Sequence, residues 1–136
     1  MTPAYGGRYN PDARNYTMLL GSGQTMVLPS TMPNSETTYT PDNAITVDEA
    51  GDYQICYNVD ASASLATSVT VAARQNGSAI DSLSQNKTLN LSGDTAFANC
   101  SIVTLAAGDV IDLYMSSGLA ATVTANNADL RVTKLN

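Results

Sequence analysis

The chain has 136 residues, 43% of them hydrophobic and only 13% charged, with a net charge of −6 and a pI near 4.1. A chain of this length forms a single domain that buries roughly two-thirds of its unfolded surface, so it needs neither a metal nor a disulfide to reach a stable core. With six Lys plus Arg and no His, the composition argues against a nucleic-acid-binding face and against attraction to anionic membranes. It also removes the commonest general base, the serine and cysteine triads and most zinc sites.

The charged share is well below the usual ~25%, which suggests that part of the surface is covered, with further copies of the chain as the natural cover. No apolar run reaches the ~18 residues of a membrane span. Met1-Thr-Pro-Ala-Tyr5 has neither the charged start nor the apolar core of a signal peptide.

In chain order the texture is β throughout, rich in Thr, Val, Ala and Ser with turn signals at short spacing. Ala4–Tyr9, with its Gly pair, reads as an opening strand. Asn15–Leu20 and Thr25–Leu28 read as short strands separated by Gly21-Ser-Gly23, and Ser30–Ser35 as a loop. Thr37–Thr40 and Ala44–Val47 flank a Pro41-Asp-Asn43 turn. Gly51–Ala61 is the clearest strand. Tyr53, Ile55, Tyr57 and Val59 alternate with Gln54, Cys56, Asn58 and Asp60, and a period of two gives one apolar face.

Thr67–Arg74 alternates again, and Asn76-Gly77 is the strongest short hairpin signal. It leads back into Ser78–Leu91, read as a weaker strand interrupted at Gln85–Lys87. Gly93-Asp94 turns into Thr95–Ala106, and Gly108-Asp109 into Val110–Met115. After a loop at Ser116-Ser-Gly118 and a short extended stretch at Val123, Asn126-Asn127 reads as the last turn and Ala128–Leu135 as the closing strand. Eight to ten strands with regular turns predict a sandwich or jelly roll.

Three segments in order carry a family resemblance. They are Ala50-Gly-Asp-Tyr-Gln-Ile-Cys-Tyr57, Ser101-Ile-Val-Thr-Leu-Ala-Ala-Gly-Asp-Val110 and Leu130-Arg-Val-Thr-Lys-Leu135. Together they resemble the globular domain shared by complement C1q and tumour necrosis factor relatives. The Ala4-Tyr-Gly-Gly7 opening and the Ala106-Ala-Gly-Asp-Val-Ile111 corner are similar to the C-terminal heads of Bacillus and Clostridium collagen-like spore-surface glycoproteins of the BclA type.

The resemblance implies an all-β, C1q/TNF-like jelly roll of about ten antiparallel strands in two sheets, assembled as a compact homotrimer. In that family one sheet carries the first and last strands together with the Gly-x-Tyr and Leu-x-x-Gly-Asp strands, and it packs towards the threefold axis. The resemblance also implies an upstream collagen-like stalk, although no Gly-X-Y tract lies in residues 1–136. The expected role is a non-enzymatic trimerising head at the spore surface (the exosporium) or elsewhere outside the cell. Its partners would be its own copies, the stalk and host or environmental surfaces. The alternative is the trimeric receptor-binding tip of a phage or bacteriocin fibre, or a secreted ligand with the same jelly roll.

On this reading Tyr53, Ile55, Tyr57, Val59, Phe97, Val103 and Leu105 form core. Gln54, Cys56, Asn58, Ala98, Cys100, Ile102 and Thr104, with Tyr5, Tyr9 and Arg131, become trimer-interface candidates. If Gly51 lies opposite Ala106, Cys56 falls near Ser101. The two cysteines then share a face within a residue of register, either as a cross-strand disulfide or as two buried thiols.

The acidic residues Asp42, Asp48, Glu49, Asp52, Asp109 and Asp112 read first as solvated turn acids and second as calcium ligands, though no Asp-x-Asp-x-Asp-Gly loop is present. Otherwise no cofactor is expected. A carboxylate-pair glycosidase is disfavoured, because Trp platforms are missing. Asn-x-Ser/Thr triplets at Asn15, Asn76, Asn86, Asn90 and Asn99 are what a chain so rich in these residues yields by chance.

Overall fold

The computed structural model describes residues 3–91 and 93–136, and all regular structure among them is β. The strands are β1 (Tyr5–Asn10), β2 (Arg14–Met18), β3 (Gly23–Thr25), β4 (Ser30–Thr31), β5 (Thr37–Thr38) and β6 (Ile45–Val47), followed by β7 (Gly51–Ala63), β8 (Thr67–Gln75), β9 (Ser78–Leu89), β10 (Thr95–Leu105), β11 (Val110–Ser117) and β12 (Ala121–Lys134). They form two six-stranded sheets. The first runs β10-β7-β12-β1-β4 with β2 also on β12, and the second runs β5-β6-β11-β8-β9 with β3 also on β11. The first sheet thus holds the first and last strands, the Gly-x-Tyr strand and the strand that ends at Leu105. Every named pairing is antiparallel.

The alternation of β7 sets the core. Tyr53, Ile55, Tyr57, Val59 and Ala61 are all buried, and Phe97, Leu105, Leu130 and Val132 join them from the same sheet. The second sheet answers with Val69, Val71, Ala73, Leu83, Leu89, Ile111, Leu113 and Met115. Full burial of one such large aliphatic or aromatic side chain is worth roughly 1.5–3 kcal/mol, so the two inner faces supply the main force joining the sheets. Val103 is only partly buried, because β10 is an edge strand. Asn99 and Ser101 share its phase and bond Ser82 of β9 at 3.0 and 2.7 Å, so polar contacts close that side of the sandwich.

Several sequence expectations change. Among the described residues there are twelve strands, and one of them, β4, forms inside the expected Ser30–Ser35 loop; β2, expected as Asn15–Leu20, continues the line of β1 along β12. Asn126-Asn127 is no turn. It lies within β12, where the register against β7 shifts between Ala125 and Asn127, so two Asn that resemble a reversal make a bulge. Strand β9 runs unbroken through Gln85–Lys87, and its irregularity lies opposite Ala72–Arg74 instead. Ser116 and Ser117 still belong to β11. Asn76 and Gly77 take φ of 53° and 84°, as a type I′ hairpin requires.

The Gly108-Asp109 corner shows why that dipeptide stands there. Gly108 has φ 91°, a conformation without steric cost only for glycine. The Asp109 carboxylate accepts from Asn76 Nδ2 at 3.0 Å, the Ala106 amide at 2.8 Å and Gln75 Nε2 at 2.7 Å. Those bonds, Asn76 first, hold its carboxyl below the ordinary value. A depressed folded-state pKa contributes stability that is present above the unfolded value of about 3.9 and is lost as pH falls through the folded value. Acid denaturation followed by circular dichroism is therefore expected to weaken its pH dependence below about pH 4 in Asp109→Asn. An unchanged slope would remove this corner from the acid response.

Candidate functional site

The outward face of the first sheet is the candidate site. Register alignment places its residues in rows across β10, β7, β12 and β1. One row is Ile102, Gln54, Thr133 and Tyr5; the next is Cys100, Cys56, Arg131 and Gly7; a third is Ala98, Asn58, Asp129 and Tyr9. All ten interface candidates from the sequence therefore share one sheet face, with Thr104 paired to Asp52 at its margin.

The surface is low and short of free charge. Ile102 and Tyr5 are exposed apolar groups, at 64% and 40%. Arg131 and Asp129 pair at 3.4 Å, and Asn58 donates to the same carboxylate at 3.3 Å. Thr104 donates to Asp52 at 2.6 Å. Small residues keep the face flat. At Gly7 a Cβ would collide with the Met32 sulfur, so the missing side chain lets Met32 lie across β1. Tyr9, Asn10, Pro11, Met32, Asn127, Ala128 and Asp129 line a depression of about 270 Å³ at the β1 side, beside the β12 bulge.

Cys56 and Cys100 are directly opposed and bonded, with Cα atoms 4.1 Å apart. The expected offset by one residue is corrected: Gly51 pairs with Leu105, because Ala106 leaves the ladder to bond the Asp109 carboxylate. The bridge closes a sequence separation of 44 residues. Cross-links over loops of this size contribute about 2–4 kcal/mol, largely by restricting the unfolded chain. Cys56→Ala/Cys100→Ala is expected to lower unfolding free energy by that amount in urea titration; a loss under about 0.5 kcal/mol would contradict it.

Arg8 is a site residue that pattern reading missed. It is 7% exposed, yet its partners are backbone carbonyls: Leu28 O at 2.8 Å, Ala44 O at 3.2 Å and Tyr39 O at 3.3 Å. Its guanidinium lies 5.5 Å from the centre of the Tyr39 ring. The Tyr39 hydroxyl donates to Met32 O at 2.7 Å and accepts from the Gly7 amide at 2.9 Å. One guanidinium thus gathers the irregular segment from Leu28 to Ala44 against β1 and supports the edge of the candidate face from beneath.

Of the remaining acidic residues, Asp48, Glu49 and Asp112 are engaged separately. Asp48 bonds Thr38, Glu49 pairs with Lys134 at 3.1 Å, and Arg74 holds Asp112 through two 2.7 Å bonds. Among the described residues no three metal-ligating side chains converge.

A family model described as the BclA C-terminal domain matches residues 8–136. No curated protein matches the chain. Among solved structures, Eiger TNF from S. frugiperda superposes with a TM-score of 0.71 at 9% identity, over 100% of this chain and 94% of that one. The globular domain of zebrafish complement 1qA protein gives 0.64 at 12% identity, over 98% of each chain. Murine APRIL gives 0.61 at 10% identity, over 96% of this chain and 99% of the other. Identities this low show a shared fold.

Proposed function

The chain belongs to the BclA C-terminal domain family, and from that premise we propose that it works as a non-enzymatic, homotrimeric head at the end of a collagen-like stalk on the spore surface. The observation that carries the trimer is the outward face of the first sheet. It exposes Ile102 and Tyr5, and the Asp129 and Arg131 it carries are already paired. Desolvating a face of this kind costs less than burying unpaired charges would, because few of its charges need new partners.

The mechanism is register-setting. Association of three heads holds three stalk strands together at high effective concentration, which removes much of the loop-closure cost of nucleating a triple helix. Residues 1–136 act as one domain in this reading, with the stalk preceding them. The same arrangement displays the opposite end of the head to the surroundings, where adhesion to host or environmental surfaces takes place.

Sedimentation equilibrium of the domain is expected to return three times the 14.2 kDa chain mass. Fused behind a Gly-Pro-Pro tract, the head is expected to speed triple-helix refolding, read by circular dichroism. A monomeric head, or an unchanged refolding rate, would refute this reading.

A further inference from the structure

Four connections lead from one sheet to the other at the same end of the sandwich, with described residues 19–22, 64–66, 90–91 with 93–94, and 118–120. Their common position follows from the pairings Met18–Ala121, Ala63–Val123, Leu89–Thr67 and Ser117–Val69. Every loop carries leucine: Leu19 and Leu20, Leu65, Leu91 and Leu119, exposed at 64%, 72%, 37%, 73% and 51%. Isolated surface leucines need no explanation, but a group gathered from four separate loops does. The loops that carry Leu19 and Leu119 are tied locally. Leu19 O accepts from the Ser22 amide at 3.1 Å, and Leu119 O from Ser117 Oγ at 2.6 Å.

Charge is distributed the opposite way. Asp94 is the one charged residue in these four loops. The nearby Lys87 turns its ammonium to Ala96 O at 2.7 Å. Glu36, Asp48, Glu49, Asp52 and Asp109 lie at the other end, with Ala4 and Lys134. Strand β12 joins the two ends with 14 residues, a rise of about 45 Å. That is several times the Debye length of about 8 Å at physiological salt, so the leucine end is insulated from the acidic one.

We propose that the leucine-bearing end is a docking surface for an electrically neutral lipid bilayer, with the leucines entering its interface together. The five leucines stand on four loops at one end of the sandwich, and the cavity at Tyr9 includes none of them. Such a set suits a broad planar apolar partner. The nearly uncharged loops match zwitterionic headgroups and offer nothing to anionic ones. Each buried leucine adds apolar area, so the set acts together within a single copy. This goes beyond the trimer proposal and does not depend on it.

Flotation of the domain with vesicles of phosphatidylcholine alone tests the idea. The domain is expected to rise with the vesicles and to stay there as salt is increased. Leu20→Ser/Leu91→Ser/Leu119→Ser is expected to partition at least about tenfold more weakly, with sedimentation mass and melting unchanged. Leu135→Ser, at the acidic end and 46% exposed in the native chain, is expected to float like the parent. Failure of the parent to float, equal flotation of the triple variant, or binding only when anionic lipid is added would overturn the proposal. So would leucine-dependent pairing of heads without flotation, which would assign the surface to a second copy.

Discussion

Ile102→Asp is expected to turn the proposed trimer into a stable monomer. In the single chain Ile102 is 64% exposed and stands on an edge strand, and substitutions at such positions usually change folding stability by no more than about 0.5 kcal/mol. In the proposed assembly the same position is desolvated. An unpaired carboxylate there would cost several kcal/mol, and each copy would bring one. Sedimentation velocity is the measurement, with circular dichroism to establish that the fold is retained. A variant that remains trimeric would move the interface away from this part of the first sheet, whereas a variant that unfolds would show that Ile102 supports the chain itself.

The second large effect is expected at Arg8. Arg8→Leu keeps much of the volume but leaves Leu28 O, Ala44 O and Tyr39 O without the donors they have now. Buried acceptors left unsatisfied cost about 1–3 kcal/mol each, with water recovering part of it at the half-buried Tyr39 site, so a loss of about 3–5 kcal/mol is expected in urea unfolding. Arg8→Lys should recover only part of this, because an ammonium cannot reproduce the planar fork. A loss below about 1 kcal/mol for Arg8→Leu would show that the segment from Leu28 to Ala44 holds its place by other contacts.

How legible these features were in the sequence depends on how far their causes lie along the chain. The period of two in Tyr53–Val59 is local, and it announced both the core face and its reverse. Asn76-Gly77 is local too, because its backbone conformation restricts which residues fit. At Cys56 the register differs by one residue from a pairing of Gly51 with Ala106, because a side chain three residues beyond Ala106 draws that amide out of the ladder. Asn126-Asn127 misled because the same residues that suit a turn also suit a bulge.

Arg8 was invisible for a different reason. Its acceptors are carbonyls 20 to 36 residues away, and a carbonyl leaves no mark in the sequence. The leucines of the four loops were each unremarkable, since only the topology gathers them at one end. Strand β4 escaped the pattern as well, because it holds only two residues inside an expected loop, too few to display a period.

The placement of β1 has a mechanical consequence. It enters beside the closing strand, where the Lys134 amide donates to Ala4 O at 2.8 Å, and runs towards the leucine end with six residues paired to β12. A pull on the chain at Tyr5, resisted at the far end, acts along the strand and loads those hydrogen bonds in shear, all at once. A pull between Tyr5 and Lys134 would instead peel the same ladder open one pair at a time. The domain is therefore built to bear tension along its length and to yield to tension across its base.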